Sequence, residues 1–405
     1  MNPWLTGVSA GFSVLIAACA ATVDPQPVTP PQDLRLNQIQ VIGTHNSYSL
    51  PLDPALASFI DPLVAAGMSD MESSMGEERL ESFLEYHPNF GELSFSEGLS
   101  YGYPEGLAAQ LDAGMRSLEI DVFHDPEGGR FLRPAGYEIL RQQGVPAEAL
   151  AQHDTRDLEK PGFKVLHVTD IDFRSTCNLL TSCLGELRDW SDDNPGHAPV
   201  FILLETKDAG FPGIPGGAEV LPFDVAAYDA LDAEIVSVLG RERLVTPDDV
   251  RGDFETLEAA VLAQNWPSLD DSRGKFVFLM LTALDVDGLS GYFEGRPNLE
   301  GRVAFLRSEP GQTHAAFLLL DNAIVRADEI PARVRQGYLV RTRSDIETYE
   351  AKVNDMTRAE AAFASGAQVV STDFYKPGNG YGTDYVVTLP GGGEVRCNPV
   401  NAVCK

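Results

Sequence analysis

The chain has 405 residues, 43% hydrophobic and 22% charged, enough to bury a large core. That length fits two domains or one α/β barrel with insertions. Its 60 Asp and Glu against 30 Lys and Arg give a net charge of −30, which excludes general affinity for nucleic acid or anionic membranes and makes divalent cations natural partners.

Residues 4–18 are apolar and uncharged, and they run into Cys19 and a Pro-rich stretch from Val23 to Pro31. The run is short for a membrane span and suits the core of an export signal. I-A-A-C (16–19) resembles a bacterial lipoprotein box with Cys19 as the acylated residue, while Ala18-Cys19-Ala20 reads equally as an A-x-A cleavage site. The expected division is a signal segment at 1–18, a tether at 19–35 and a catalytic region at 36–405. The protein is expected to be exported, either secreted or held at a membrane.

The first predicted strand, Ile39 to Ile42, leads through Gly43 into Thr44, His45, Asn46, Ser47 and Tyr48. An apolar run ending in a polar cluster reads as a buried strand whose tip carries chemistry. Residues 49–103 form a long, partly helical insertion, and 105–115 has helical spacing of Leu107, Leu111 and Met115. Further strands are expected at 116–123 (R-S-L-E-I-D-V-F), 164–168 (K-V-L-H-V) and 199–207 (P-V-F-I-L-L-E-T-K), followed by helices at 224–240 and 253–264. Later strands are expected at 276–281, 316–321, 338–343 and 368–374, with one helix over 345–364. Eight near-continuous apolar runs alternating with helices predict a single (β/α)8 TIM-type barrel with a long insertion after the first strand.

Apart from Cys19, four cysteines remain. Two short loops, Cys177 to Cys183 and Cys397 to Cys404, are the simplest of three possible disulfide pairings. Thiolate metal ligation is the alternative, although no histidine stands at a suitable spacing.

In such a barrel the strand tips converge on one face. They supply His45, Asn46, Glu119, Asp121, His167, Glu205, Lys207, Arg341, Arg343 and Asp373. Alternation turns Glu119 with Asp121, Glu205 with Lys207, and Arg341 with Arg343 to the same side. Carboxylates inside apolar strands are costly unless paired or bound to metal; pairing with the arginines is the bland alternative. Asn46, Glu119, Asp121 and Glu205 make an all-oxygen set suited to Ca2+, whereas a zinc site would draw the histidines in as ligands. His45 and His167 then suit acid/base work on a phosphodiester, and Lys207, Arg341 and Arg343 suit contacts to its phosphate.

T-H-N-S-Y (44–48), L-E-I-D-V (118–122), a strand ending in His167 and I-L-L-E (202–205), in that order, resemble the catalytic barrel of phosphatidylinositol-specific phospholipase C. V-S-T-D (370–373) and R-C-N-P (396–399) resemble its calcium-dependent bacterial branch, and the likeness spans residues 36–405. The resemblance implies calcium at Asn46, Glu119, Asp121 and Glu205, with Glu119 doubling as base for the inositol 2-hydroxyl. It implies catalytic roles for His45 and His167, the latter as acid for the diacylglycerol leaving group. Asp373 and Tyr375 become substrate contacts, the tyrosine as a ring to pack on inositol. The chain departs from the pattern at Y-G-Y-P-E (101–105), where close relatives often carry a histidine. His87 is a spatial alternative, and His124 is placed behind the metal ligands. Competing readings are a glycerophosphodiester phosphodiesterase, which usually shows His-Arg where this chain has His45-Asn46, and a non-catalytic calcium-binding surface lipoprotein. The expected partner is a phospholipid at a membrane interface, with no obligate protein partner evident. Because the net charge opposes an anionic bilayer, apolar loops at the barrel mouth are expected to reach it: the 49–103 insertion, Phe211 and Ile214, and Tyr292-Phe293.

Overall fold

The computed structural model describes residues 34–74, 80, 83–84, 87–89, 91–282 and 289–404. The signal segment, Cys19, nearly all of the tether and much of the 75–90 stretch therefore lie outside the described residues.

Ten strands are present: β1 Ile39–Thr44, β2 Ser117–Phe123, β3 Lys164–Val165, β4 Val200–Thr206, β5 Phe276–Thr282, β6 Ala304–Leu306, β7 Phe317–Leu319, β8 Leu339–Arg343, β9 Val369–Thr372 and β10 Arg396–Cys397. Eight of them run parallel in the order β6-β5-β4-β2-β1-β9-β8-β7. A parallel bridge from Arg307 to Phe317 joins the two edges, so the sheet closes into a barrel. These eight strands are predominantly apolar because helices cover their outer faces, with Glu119 and Asp121 on β2, Glu205 on β4 and Arg341 and Arg343 on β8 as the charged exceptions.

The count of eight holds, but its membership changes. The segment 164–168 is no barrel strand: β3 is two residues long and pairs antiparallel with β2, Val122 facing Val165, while β2 pairs directly with β4. The missing barrel strand is β6, whose three apolar residues are too short a run to stand out in the sequence. The helix expected over 345–364 is two helices, Tyr349–Val353 and Thr357–Ser365. Asn354 at φ 56° takes a left-handed conformation that ends the first of them.

Both short disulfide loops form, Cys177–Cys183 and Cys397–Cys404. The first ties the loop after β3 to the helix Leu180–Asp193. The second follows β10, which pairs antiparallel with the start of β1, Ile39 facing Cys397. The insertion opens with the helix Pro54–Ser74, whose first turn is capped by Asp53 accepting from the Ala55 amide at 2.7 Å. No helix among the described residues is long and apolar enough to cross a membrane.

Register sets the layers of the barrel interior. Gly43 is paired with Ser117 on one side and Ser371 on the other, so a belt of small residues lies below the tips that carry His45, Glu119 and Asp373. A Cβ on Gly43 would stand 2.1 Å from the Ser117 carbonyl oxygen. Gly43→Ala is therefore expected to force β1 from β2 and cost about 1–3 kcal/mol or more, the usual penalty of overpacking. Urea denaturation in chelator checks this; an unchanged midpoint would mean that the strands separate freely.

Candidate active site

Glu119 and Asp121 alternate along β2, and Asp121 is the register partner of Glu205 on β4. Pairing of this kind puts the three side chains on one wall of the mouth, where one carboxylate oxygen from each lies within 4.8 Å of the others. The fit of these residues to calcium rests on their own bonding. Asp121 is fully buried, and its Oδ1 has no hydrogen-bond partner. Its Oδ2 meets the ammonium of Lys207 at 2.9 Å, and the same ammonium lies 2.9 Å from Glu205 Oε1. A donor-poor set of hard oxygens with a cation drawn into it fits a calcium ion. Burial pushes Asp121 up to about 6 even with Lys207 beside it. Burial also works to raise Glu205, but Lys207 outweighs it and holds that carboxyl low; Glu205 reaches solvent, so it loses less hydration than Asp121.

Asn46 follows His45 in a tight turn with φ 44°. The turn is fastened to Glu119 on both sides of Ser47: the Ser47 amide donates to the Glu119 carbonyl at 2.9 Å, and the Glu119 amide donates to Ser47 Oγ at 2.8 Å. Gln110 braces it from the neighbouring helix, donating to the Ser47 carbonyl at 2.7 Å. The Asn46 side-chain amide donates to the Tyr101 hydroxyl at 2.7 Å, and its Oδ1 accepts from the Tyr48 hydroxyl at 3.5 Å.

His45 Nδ1 lies 2.9 Å from Asp373 Oδ1, and its Nε2 lies 3.9 Å from Glu119 Oε1. Burial and the Arg343 guanidinium hold His45 well below its ordinary value, so it is neutral at neutral pH with Nε2 free to accept. Asp373 is itself anchored, its amide donating to Asp345 Oδ1 at 2.7 Å. His167 sits beyond β3 rather than on a barrel strand. A hairpin bridge between Val168 and Asp172 turns Asp172 back onto it, with Oδ2 2.9 Å from Nδ1. Burial works against a proton there, but the hydrogen bond and charge of Asp172 prevail and raise His167 above its ordinary value. Two histidines pushed in opposite directions mark a base and an acid.

The three expected phosphate contacts are turned on the site's own acids. Arg341 is buried, donating to Glu119 Oε2 at 2.9 Å and to both oxygens of Asp321 at 2.7 and 2.8 Å. Arg343 reaches Asp373 Oδ2 at 3.3 Å and Lys207 bridges Asp121 and Glu205. The pairing of carboxylates with arginines is thus real for Glu119 and does not extend to Asp121 or Glu205. Tyr375 is buried against Tyr103, its hydroxyl bonded to Glu105. It lines a cleft of about 480 Å³ beside the mouth, with Pro51, Leu99, Tyr101 and Asp373 among its walls.

Other histidines lie elsewhere. His87 pairs with Glu347 at the surface, and His124 stacks on Phe163 rather than behind the carboxylates. Of the loop aromatics, Phe211 packs edge-on to Phe95 and Phe293 stacks on His314. Sequence reasoning missed Asp172, Asp321, Asp345, Gln110 and Tyr101. Of these, Asp321 had a signal, as a lone acid ending an apolar run.

Arg341→Leu is expected to cost about 3–5 kcal/mol in chelator, because it strands buried charge on Glu119 and Asp321. Adding Glu119→Gln should restore part of that loss in urea denaturation. No recovery would mean that Arg341 acts through packing alone.

A model of the family described as "Phosphoinositide phospholipase C, Ca2+-dependent" matches residues 34–399. Among solved structures, the apo calcium-dependent phosphoinositol-specific phospholipase C of a Pseudomonas species is 14% identical, with 92% of this chain and 99% of that chain covered and a TM-score of 0.50. The Ca2+-dependent phosphatidylinositol-specific phospholipase C of Streptomyces antibioticus is 17% identical over 84% of this chain and 95% of that one, at a TM-score of 0.49. The phosphatidylinositol-specific phospholipase C of Listeria monocytogenes is 12% identical over 85% and 91%, at 0.41. At these identities the Pseudomonas likeness speaks for the barrel fold. A search of curated proteins finds no match.

Proposed function

Since the chain belongs to the calcium-dependent phosphoinositide phospholipase C family, we propose that it cleaves phosphatidylinositol into diacylglycerol and an inositol phosphate. The observation that carries this reading is the carboxylate triad Glu119, Asp121 and Glu205 in one mouth with two histidines, His45 held below its ordinary value by burial and His167 raised by Asp172. Bound at the triad with Asn46, calcium would neutralise charge on the phosphoryl oxygens and lower the pKa of the attacking hydroxyl. His45, its Nδ1 held by Asp373, receives the proton of the inositol hydroxyl at Nε2, beside Glu119. His167 donates its proton to the leaving diacylglycerol oxygen, and Asp172 stabilises its charged form beforehand. The two disulfides favour an oxidising compartment and hence export.

Phosphorus NMR of products from phospholipids and glycerophosphodiesters tests the substrate. Inositol phosphate from phosphatidylinositol in CaCl2, less in Mg2+ and none in chelator, is the expected result. Turnover confined to water-soluble glycerophosphodiesters, or full activity in chelator, would contradict it. His45→Ala and His167→Ala should each lower turnover on the order of 10²–10⁴-fold with calcium binding retained; loss of binding would make that histidine a ligand.

The acid limb of the pH profile follows from Asp121 and Asp373, both pushed by burial up to about 6. Their ionised forms are the working ones, so kcat/KM should fall as pH drops through about 6. Saturating calcium competes with the proton on Asp121 and should move that limb to lower pH. A limb unmoved by calcium would take Asp121 out of the ligand set.

Contact with the lipid surface falls to Ile324 and Val325, 44% and 59% exposed on the segment after β7. Exchanging both for serine is expected to slow cleavage in vesicles while sparing a soluble short-chain substrate. Equal losses on both substrates would return these residues to a structural role.

A further inference from the structure

The basic residues of the mouth differ in how firmly they are held. Arg341 is locked, its guanidinium shared between Glu119 and both oxygens of Asp321. Arg343 is committed to the Asp373 and His45 side. Lys207 is different. Its backbone is fixed, since its amide donates to the Val122 carbonyl at 3.0 Å and extends the β2–β4 pairing by one residue. Its ammonium, however, meets the two cluster carboxylates Asp121 and Glu205, each at 2.9 Å, and no other acid among the described residues. The Asp121 side chain is fully buried, while those of Glu205 and Lys207 are each 13% exposed, so the ammonium keeps a contact with solvent that Asp121 lacks.

We propose that Lys207 is a positioning residue that serves as an internal counter-ion for the carboxylate triad, holding Asp121 and Glu205 together until calcium displaces it. The inference rests on the reading of the triad as a calcium site. An ammonium on four methylenes is a mobile point charge, whereas a guanidinium fork would lock the cluster as Arg341 locks Glu119. Lys207 thereby does two opposed things. It stabilises the metal-free fold, by offsetting repulsion between buried carboxylates, and it weakens calcium binding, because a like charge must leave the space the ion enters. The competition shifts upward the calcium concentration at which the site fills, on top of what the ligand set itself provides.

Isothermal titration of the full chain with CaCl2, with thermal unfolding in chelator and in calcium, separates these effects. Lys207→Met is expected to bind calcium roughly tenfold or more tightly than the wild type. It should also melt lower in chelator and gain more from calcium. Lys207→Gln is the second variant, nearer in polarity if the first folds poorly, and should shift both readouts the same way. Asp121→Asn is the control on the site itself. If the wild type fails to bind calcium, or Asp121→Asn binds it as well as the wild type, the metal reading falls and the inference with it. If the wild type binds and Asp121→Asn does not, yet both Lys207 variants bind with unchanged or weaker affinity, the metal reading stands and the counter-ion role is overturned.

Discussion

Negative charge taken out of water must be answered by positive charge at close range, and the mouth of this barrel is built around that requirement. Three carboxylates from two adjacent strands share one small volume. Glu119 is answered by Arg341, which Asp321 holds in turn. Asp373 is answered by Arg343, hydrogen-bonded by His45, and fastened at its backbone by Asp345. What remains is the pair Asp121 and Glu205, which the movable Lys207 bridges at 2.9 Å to each. The balance is complete at the locked positions and loose at the position a metal ion would occupy.

The barrel supplies the geometry for this balance. Direct register between Asp121 and Glu205 brings two acids together that are 84 residues apart in sequence. Gly43 lets β1 approach β2 closely enough for the His45 turn to fasten onto the Glu119 backbone. The two histidines then differ in environment rather than in kind. His45 lies among arginines and stays neutral, while His167 is backed by Asp172 from its own hairpin. The same side chain is thereby biased in opposite directions at two places in one mouth.

Much of this was legible in the sequence because alternation within a strand is a local property. L-E-I-D-V and L-L-E-T-K announce same-side acids and a same-side lysine without any knowledge of the partner strand. The barrel count was legible too, since parallel strands buried on both faces read as apolar runs. Length misled in both directions: K-V-L-H-V has the run of a strand but forms two antiparallel residues, and β6 forms a strand on three. Supporting residues such as Asp172 and Asp345 were hidden, because their meaning comes from contacts made by loop turns. Sequence shows that Lys207, Arg341 and Arg343 carry charge at the mouth but not that each pairs with an acid of the same site. Tyr101 was visible only as a departure from a motif; its contact with Asn46 explains what that segment does.

The central claim is that the triad, with Asn46, is the metal centre and that the histidines stand outside it. Anomalous diffraction from crystals grown in CaCl2 tests this most directly. The account predicts one ion with oxygen atoms of Glu119, Asp121, Glu205 and Asn46 at about 2.3–2.6 Å, and Lys207 moved off Asp121. An ion ligated by a nitrogen of His45 or His167, or calcium bound only away from these four residues, would contradict it.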